Sequence, residues 1–140
     1  MYPRTRLINW VALSLALLWV ALIGLTLSPI VNDFQSYRLG ALLIRSTGSP
    51  YLAAPPADGV AYIYPPLFAY LMLPFAWLSI AAGQQIWFLI NLGMLAALVA
   101  ISVRASGSQL AQRYWGVTAL LVVVAPPTRL NLQLGQTGIL

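Results

Sequence analysis

Long runs without charge constrain the fold of this chain more than any other feature of its sequence. No charged residue occurs from Leu7 to Asn32 or from Gly59 to Val103. A helix that crosses the ~30 Å hydrocarbon core of a bilayer needs about 20 mostly apolar residues. The first run is therefore long enough to form such a helix by itself. Only 6% of the 140 residues are charged and the mean hydropathy is +0.85, whereas soluble domains carry about 25% charged residues. The sequence therefore predicts an all-α, polytopic integral membrane protein.

The few charged residues exclude several classes of function. The net charge of +5 comes from seven arginines and two aspartates, and the chain has no histidine or cysteine. The arginines lie between apolar runs, as topology signals and headgroup contacts do, and do not form the basic face of a nucleic-acid-binding protein. We therefore expect membrane lipids as partners and no nucleic acid. Asp33 and Asp58 make a poor magnesium site and no thiolate or imidazole ligand exists, so we predict no metal and no cofactor.

Run lengths and arginine positions predict one transmembrane module over residues 1–140. Arg4 and Arg6 precede the first apolar run, so the positive-inside rule predicts a cytoplasmic N-terminus in the cell membrane. The loop from Arg104 to Arg113 is expected on the same side. The predicted spans are 7–28, 86–103 and 114–126.

The segment between the first two spans is expected to form an extracytoplasmic loop, 29–85. It should contain an interfacial helix, 33–46, because Phe34, Tyr37, Ala41 and Ile44 form one apolar stripe. A second helix, 66–80, begins at a Tyr-Pro-Pro sequence and is kinked by Pro74. We expect this helix to be re-entrant; the alternative is a thin, kinked span.

Polar stretches are expected to separate the remaining apolar runs. Residues 81–85 are predicted to be a polar break before the second span. The proline pair Pro126-Pro127 is predicted to close the third span. Residues 128–138 that follow are polar, and the stretch 130–136 within them would ordinarily form a loop.

Asp33 is the first candidate for chemistry because it follows the first span. It can cap the interfacial helix, which is worth about 1 kcal/mol, or act as a general base toward a hydroxyl at the membrane face. Arg38 and Arg45 lie two helical turns apart and can grip a phosphate by forked hydrogen bonds. Their alternative role is to extend toward lipid headgroups. The residues alone do not decide between capping and catalysis for Asp33, or between phosphate binding and headgroup contact for the two arginines.

Four short motifs occur along the chain, and each is unspecific by itself. Tyr64-Pro65-Pro66 alone favours a helix start, and the amide of Gln136 alone suits either a loop or a sugar-binding site. The motifs are Asp33-Phe34 with Tyr37, Gly48-Ser49-Pro50-Tyr51, Tyr64-Pro65-Pro66-Leu67-Phe68 and Leu134-Gly135-Gln136. Because these motifs occur together in this order, the chain resembles the N-terminal part of glycosyltransferase family 87.

This resemblance implies a GT-C fold and a hexosyltransferase activity, as in the family's mannosyltransferases. The donor would be a polyprenyl-phosphate sugar and the acceptor a hydroxyl of a lipid or glycan. Asp33 corresponds to the family's extracytoplasmic acid and is expected to be the catalytic base. Expected substrate-binding residues are Tyr37 and Gln136 from the motifs and, by position, Arg38, Tyr64 and Arg129, which suit a leaving phosphate.

The chain departs from the family in two respects. Family members have several hundred residues and many more spans, so we expect an N-terminal fragment that is inactive by itself. Arg38 stands where the family usually has a second aromatic residue beside Tyr37.

Two other functions compete with the enzyme. A small non-enzymatic membrane protein that binds anionic lipid would not need Asp33. A transporter fragment would place a polar residue near the bilayer midplane, yet no charge occurs from Gly59 to Val103.

Overall fold

The computed structural model of the protein describes residues 3–26, 33–52 and 61–136. Within these ranges the chain is helical and has no strand, which confirms the all-α prediction. The helices are α1 (Pro3–Leu25), α2 (Asp33–Thr47), α3 (Pro66–Leu71), a 3-10 helix (Leu73–Trp77), α4 (Ile80–Ala105), α5 (Gln109–Arg113), α6 (Trp115–Val124) and α7 (Pro126–Leu134).

Among the described residues, two helices, α1 and α4, are long and apolar enough to cross a membrane. Their 23 and 26 residues extend about 34 and 39 Å, which exceeds the ~30 Å hydrocarbon core. α6 and α7 qualify as a third span only when taken together, and they are bent by 63°. Leu18 of α1 is 58% exposed and Leu89 of α4 is 61% exposed, so both helices turn large apolar side chains outward, as lipid requires. The chain is an all-α membrane protein.

The described residues form two compact units. The first, which we call the α1 unit, contains residues 3–26 and 88–133. The second, the α2 unit, contains residues 33–52, 61–87 and 134–136. α4 contributes its first residues to the α2 unit and the remainder to the α1 unit.

In the α1 unit, α1 packs closely on α6. The Cα of Gly116 lies so near the backbone of Asn9 that a Cβ there would overlap the Asn9 carbonyl oxygen. The buried Asn9 side chain donates to the Arg113 carbonyl at 3.0 Å and accepts from the Gly116 N–H at 3.2 Å. These backbone groups end α5 and begin α6, where no intrahelical partner exists. Asn9 therefore satisfies two helix ends while it joins α1 to them.

In the α2 unit, α2 packs on α3 and on the 3-10 helix. Phe34, Tyr37 and Ala41 are buried along one face of α2, at the spacing that the sequence predicts. The helix is followed by Gly48, whose φ of 78° is the left-handed conformation in which glycine commonly ends a helix. The predicted helix 33–46 thus corresponds to α2.

Proline divides the predicted helix 66–80 into two shorter pieces. Pro65 precedes α3, and Pro66 occupies its first turn, where the missing N–H costs no hydrogen bond. Pro74 cannot continue an α-helix, and the chain forms a 3-10 helix around it.

Two expectations about polar stretches are wrong. Residues 81–85 are helical, because alanine and glutamine are good helix formers and the Ser79 hydroxyl caps α4 by accepting from the Ala82 N–H at 3.2 Å. Residues 126–134 form α7 and not a loop. Pro126 and Pro127 start this helix, as proline can in a first turn, and Gly135 at φ 65° follows its end.

We expect Gly116→Ala to destabilise the protein by about 1–3 kcal/mol, because the added Cβ meets backbone that cannot rotate away. Gly93→Ala in α4 is the matched control, since nothing lies within 4 Å of a Cβ there, and it should be neutral or slightly stabilising. Thermal unfolding in detergent compares the two variants. Equal transition temperatures would contradict the close approach of α1 and α6.

Candidate functional site

An aromatic cluster fills the core of the α2 unit, consisting of Phe34, Tyr37, Tyr64, Phe68, Phe75 and Trp87. The Tyr37 ring is central: its centroid lies 4.8 Å from that of Tyr64, 4.9 Å from Phe68 and 5.8 Å from Trp87, all edge-on. Such T-shaped pairs add about 0.5–1.5 kcal/mol each beyond the area they bury. The cluster therefore fixes α2, α3 and the start of α4 around one ring.

The Gly135-Gln136 motif is attached to this cluster. The indole Nε1–H of Trp87 donates to the Gly135 carbonyl at 2.9 Å. A Cβ at position 135 would lie 3.5 Å from the Cβ of Phe34 and 3.7 Å from its backbone nitrogen. The motif thus lies against the first turn of α2, beside the peptide bond that joins Asp33 to Phe34.

Asp33 is the first residue of α2 and is partly exposed. A carboxylate at this position is favourable because the N-terminus of a helix carries a partial positive charge. No basic side chain in the described ranges forms an ion pair with Asp33. The carboxylate is thus partly accessible at the helix start, next to the Gly135-Gln136 motif, and has no cationic partner among the described residues.

The two arginines of α2 do not converge on one point. Arg38 donates from Nε to the Phe75 carbonyl at 3.3 Å and from Nη2 to the Leu78 carbonyl at 2.9 Å, at the end of the 3-10 helix. The Arg45 guanidinium lies 4.9 Å over the ring of Trp77. The structure gives Arg38 a role in holding the 3-10 helix against α2, and it does not form the paired phosphate clamp that the spacing of Arg38 and Arg45 predicts.

Tyr64 lies at the edge of the aromatic cluster, on a short segment that is tied to α2. The Ser36 hydroxyl donates to the Ala61 carbonyl, and the Tyr62 ring packs on Gly40, where a side chain would collide with it. The Tyr62 hydroxyl donates to the Pro65 carbonyl at 2.6 Å. Burial raises the pKa of Tyr62. Tyr64 itself is partly exposed.

The structure places the predicted substrate-binding residues in three different environments. Tyr37 is 1% exposed, so its ring packs in the cluster and cannot line an open site. Tyr64 and Gln136 are partly exposed in the same unit as Asp33. Arg129 belongs to the α1 unit, where its guanidinium lies 5.6 Å over the ring of Trp19.

Sequence reasoning missed the part that Trp87 plays. Trp87 lies near the start of an apolar run, where interfacial aromatic residues are common, yet it is 6% exposed and contacts both the cluster and Gly135. An indole N–H within a long uncharged run needs a buried hydrogen-bond acceptor. This requirement was the sequence signal that could have predicted a buried contact for Trp87.

Comparison with protein families gives one match. The profile of glycosyltransferase family 87 matches residues 62–140, more than half of the chain, and the protein therefore belongs to this family. The match includes Tyr64, Arg129 and Gln136 and begins after Asp33 and Arg38. Comparison with curated proteins and with solved structures gives no match. Family membership and the apolar helices together make the protein a membrane glycosyltransferase.

Trp87→Phe keeps an aromatic ring in the cluster but removes the donor to Gly135. We expect a loss of about 1 kcal/mol of stability and faster amide hydrogen exchange in a peptide covering residues 134–136. Trp77→Phe is the control, because Trp77 is 67% exposed and has no such bond in the described chain. Unchanged exchange in Trp87→Phe would show that the bond does not hold the motif.

Proposed function

We propose that this protein transfers a hexose from a polyprenyl-phosphate sugar to a hydroxyl of a lipid or glycan acceptor, through a GT-C-type module. Family membership supports sugar transfer, and the apolar helices support a lipid-embedded enzyme. The donor and acceptor classes rest on the resemblance carried by the sequence motifs.

One observation supports the position of the site best. Gly135 and Gln136 follow Asp33 by about a hundred residues, yet Gly135 packs against the first turn of α2, which begins with Asp33. A carboxylate and an amide on adjacent segments suit sugar transfer, because one can accept a proton and the other can bind sugar hydroxyls.

We assign the general base to Asp33. Its carboxylate takes the proton of the acceptor hydroxyl as that oxygen attacks the anomeric carbon of the donor sugar. The bond from this carbon to the phosphate oxygen breaks, and the polyprenyl phosphate leaves with the bonding electrons. Asp33 is suited to this role because no arginine in the described ranges neutralises it.

The supporting residues have separate tasks in this proposal. Gln136 and Tyr64 contact the substrate from the edge of the aromatic cluster. Arg38 is a positioning residue, since two of its N–H groups already bind backbone carbonyls. Tyr37 positions Tyr64 through their edge-on contact.

Arginine placement supports the orientation that we propose for α1. Arg4 and Arg6 lie in its first turns, and Asn9 of the same helix binds the carbonyl of Arg113. This end of the α1 unit is therefore basic, and we place it in the cytoplasm. α1 then crosses to the outer face, where Asp33 meets its substrates.

Asp33→Asn should lower sugar transfer by about 10²–10⁴-fold, the usual contribution of a general base. The assay measures transfer from a radiolabelled polyprenyl-phosphate hexose by membranes that contain the full-length protein. Asp58→Asn is the matched control, since it removes the other carboxylate of the sequence, and it should retain activity. Undiminished transfer by Asp33→Asn would remove this residue from the mechanism.

Gln136→Ala should raise the KM for the sugar donor roughly tenfold, which is the effect of losing one hydrogen bond of about 1.4 kcal/mol. Gln109→Ala in α5 serves as the control for loss of an exposed amide. A Gln136→Ala variant with the KM of the unaltered protein would show that this amide does not contact the donor.

A further inference from the structure

An apolar groove of about 570 Å³ runs between α1, α4 and α6, within the α1 unit. This volume falls in the range of about 300–1,000 Å³ that is typical of sites for small molecules. The groove is not enclosed, since Leu17 on its wall is 58% exposed. Its lining is apolar except at one end, which is formed by Arg104 of α4 and Gln112 of α5.

The dimensions of the groove match one leaflet of a bilayer. Its wall on α4 runs from Leu92 to Arg104, which at 1.5 Å per residue is about 18 Å. Half of a ~30 Å hydrocarbon core is about 15 Å. An acyl chain that starts at the Arg104 end would therefore reach the middle of the membrane.

The positive charge at this end of the groove favours an anionic ligand. Arg4 and Arg6 on α1, Arg104 in the last turn of α4 and Arg113 at the end of α5 all belong to the α1 unit. The described residues of this unit, 3–26 and 88–133, contain no acidic side chain. Arg104 therefore has no carboxylate to pair with in those ranges. Its planar guanidinium can donate two parallel hydrogen bonds to two oxygens of one phosphate.

We propose that this groove binds one acyl chain of an anionic phospholipid, with the lipid phosphate held by Arg104 and Gln112. The apolar walls take the chain, and the basic end selects the headgroup, as basic pockets between transmembrane helices do. The lipid is a resident of the α1 unit and takes no part in sugar transfer.

The test uses the protein reconstituted in vesicles of phosphatidylglycerol and phosphatidylcholine in equal amounts, extracted in mild detergent and weighed by native mass spectrometry. We expect one retained phosphatidylglycerol per protein, favoured over phosphatidylcholine by about tenfold. Arg104→Gln should lower this retention about tenfold, the effect of losing one charge-assisted hydrogen bond. Arg104→Lys should keep most of it.

Two further variants separate the groove from general surface charge. Arg6→Gln removes a charge from the same unit without altering the groove lining and should retain the lipid. Ala100→Phe fills the groove without changing any charge and should release the lipid. Circular dichroism checks that each variant is folded.

Several outcomes would overturn the proposal. Equal losses in Arg104→Gln and Arg6→Gln would mean that the lipid is held by surface charge alone. Equal retention of the two phospholipids would mean that the headgroup is not recognised. A dimer that carries no lipid would mean that a second copy of the chain occupies the groove. Displacement of the lipid by a lower concentration of added polyprenyl phosphate would mean that the groove binds the donor.

Discussion

The hydrogen bond from the Trp87 indole to the Gly135 carbonyl is the contact on which the candidate site depends. It joins the start of α4 to a motif that follows α7, and the aromatic cluster joins the same indole to Phe34 and Tyr37 of α2. An indole buried in apolar surroundings gains most from a hydrogen bond when no water can replace the acceptor. This single donor therefore fixes the Gly135-Gln136 motif beside the residue that begins α2.

The need to satisfy backbone groups explains how several polar side chains are used. Asn9 serves the ends of α5 and α6, and Arg38 serves the end of the 3-10 helix. Apolar surroundings provide no water for these groups, so side chains must take its place. Asp33 contrasts with both residues, because no basic side chain in the described ranges pairs with it. A carboxylate that has no basic partner among the described residues, at the edge of a packed unit, is a reasonable candidate for chemistry.

Local sequence patterns predicted much of the fold. The long apolar runs indicated the membrane helices, the three-and-four spacing of Phe34, Tyr37 and Ala41 indicated α2, and proline indicated the interruption around Pro74. The prediction of a loop after Pro126 failed because proline can either end a helix or start one. Here Pro126 starts α7. The environment of Tyr37 and the partner of Trp87 depend on residues distant in sequence, so no local pattern contains them. That Asp33 and Gln136 serve one site stays a prediction from the motifs; the structure places their segments in the same unit.

The proximity of residues 33 and 136 is the central claim. Gly135 packs on Phe34, and consecutive Cα atoms are 3.8 Å apart, so the Cα atoms of Asp33 and Gln136 lie within about 14 Å of each other. The protein has no cysteine, so cysteines introduced at these two positions can be spin-labelled without ambiguity. Pulsed electron paramagnetic resonance in nanodiscs then measures the distance between the two labels. A narrow distribution at short distance is the predicted result. A broad or long distribution, as expected for residues on opposite faces of the membrane, would contradict the account.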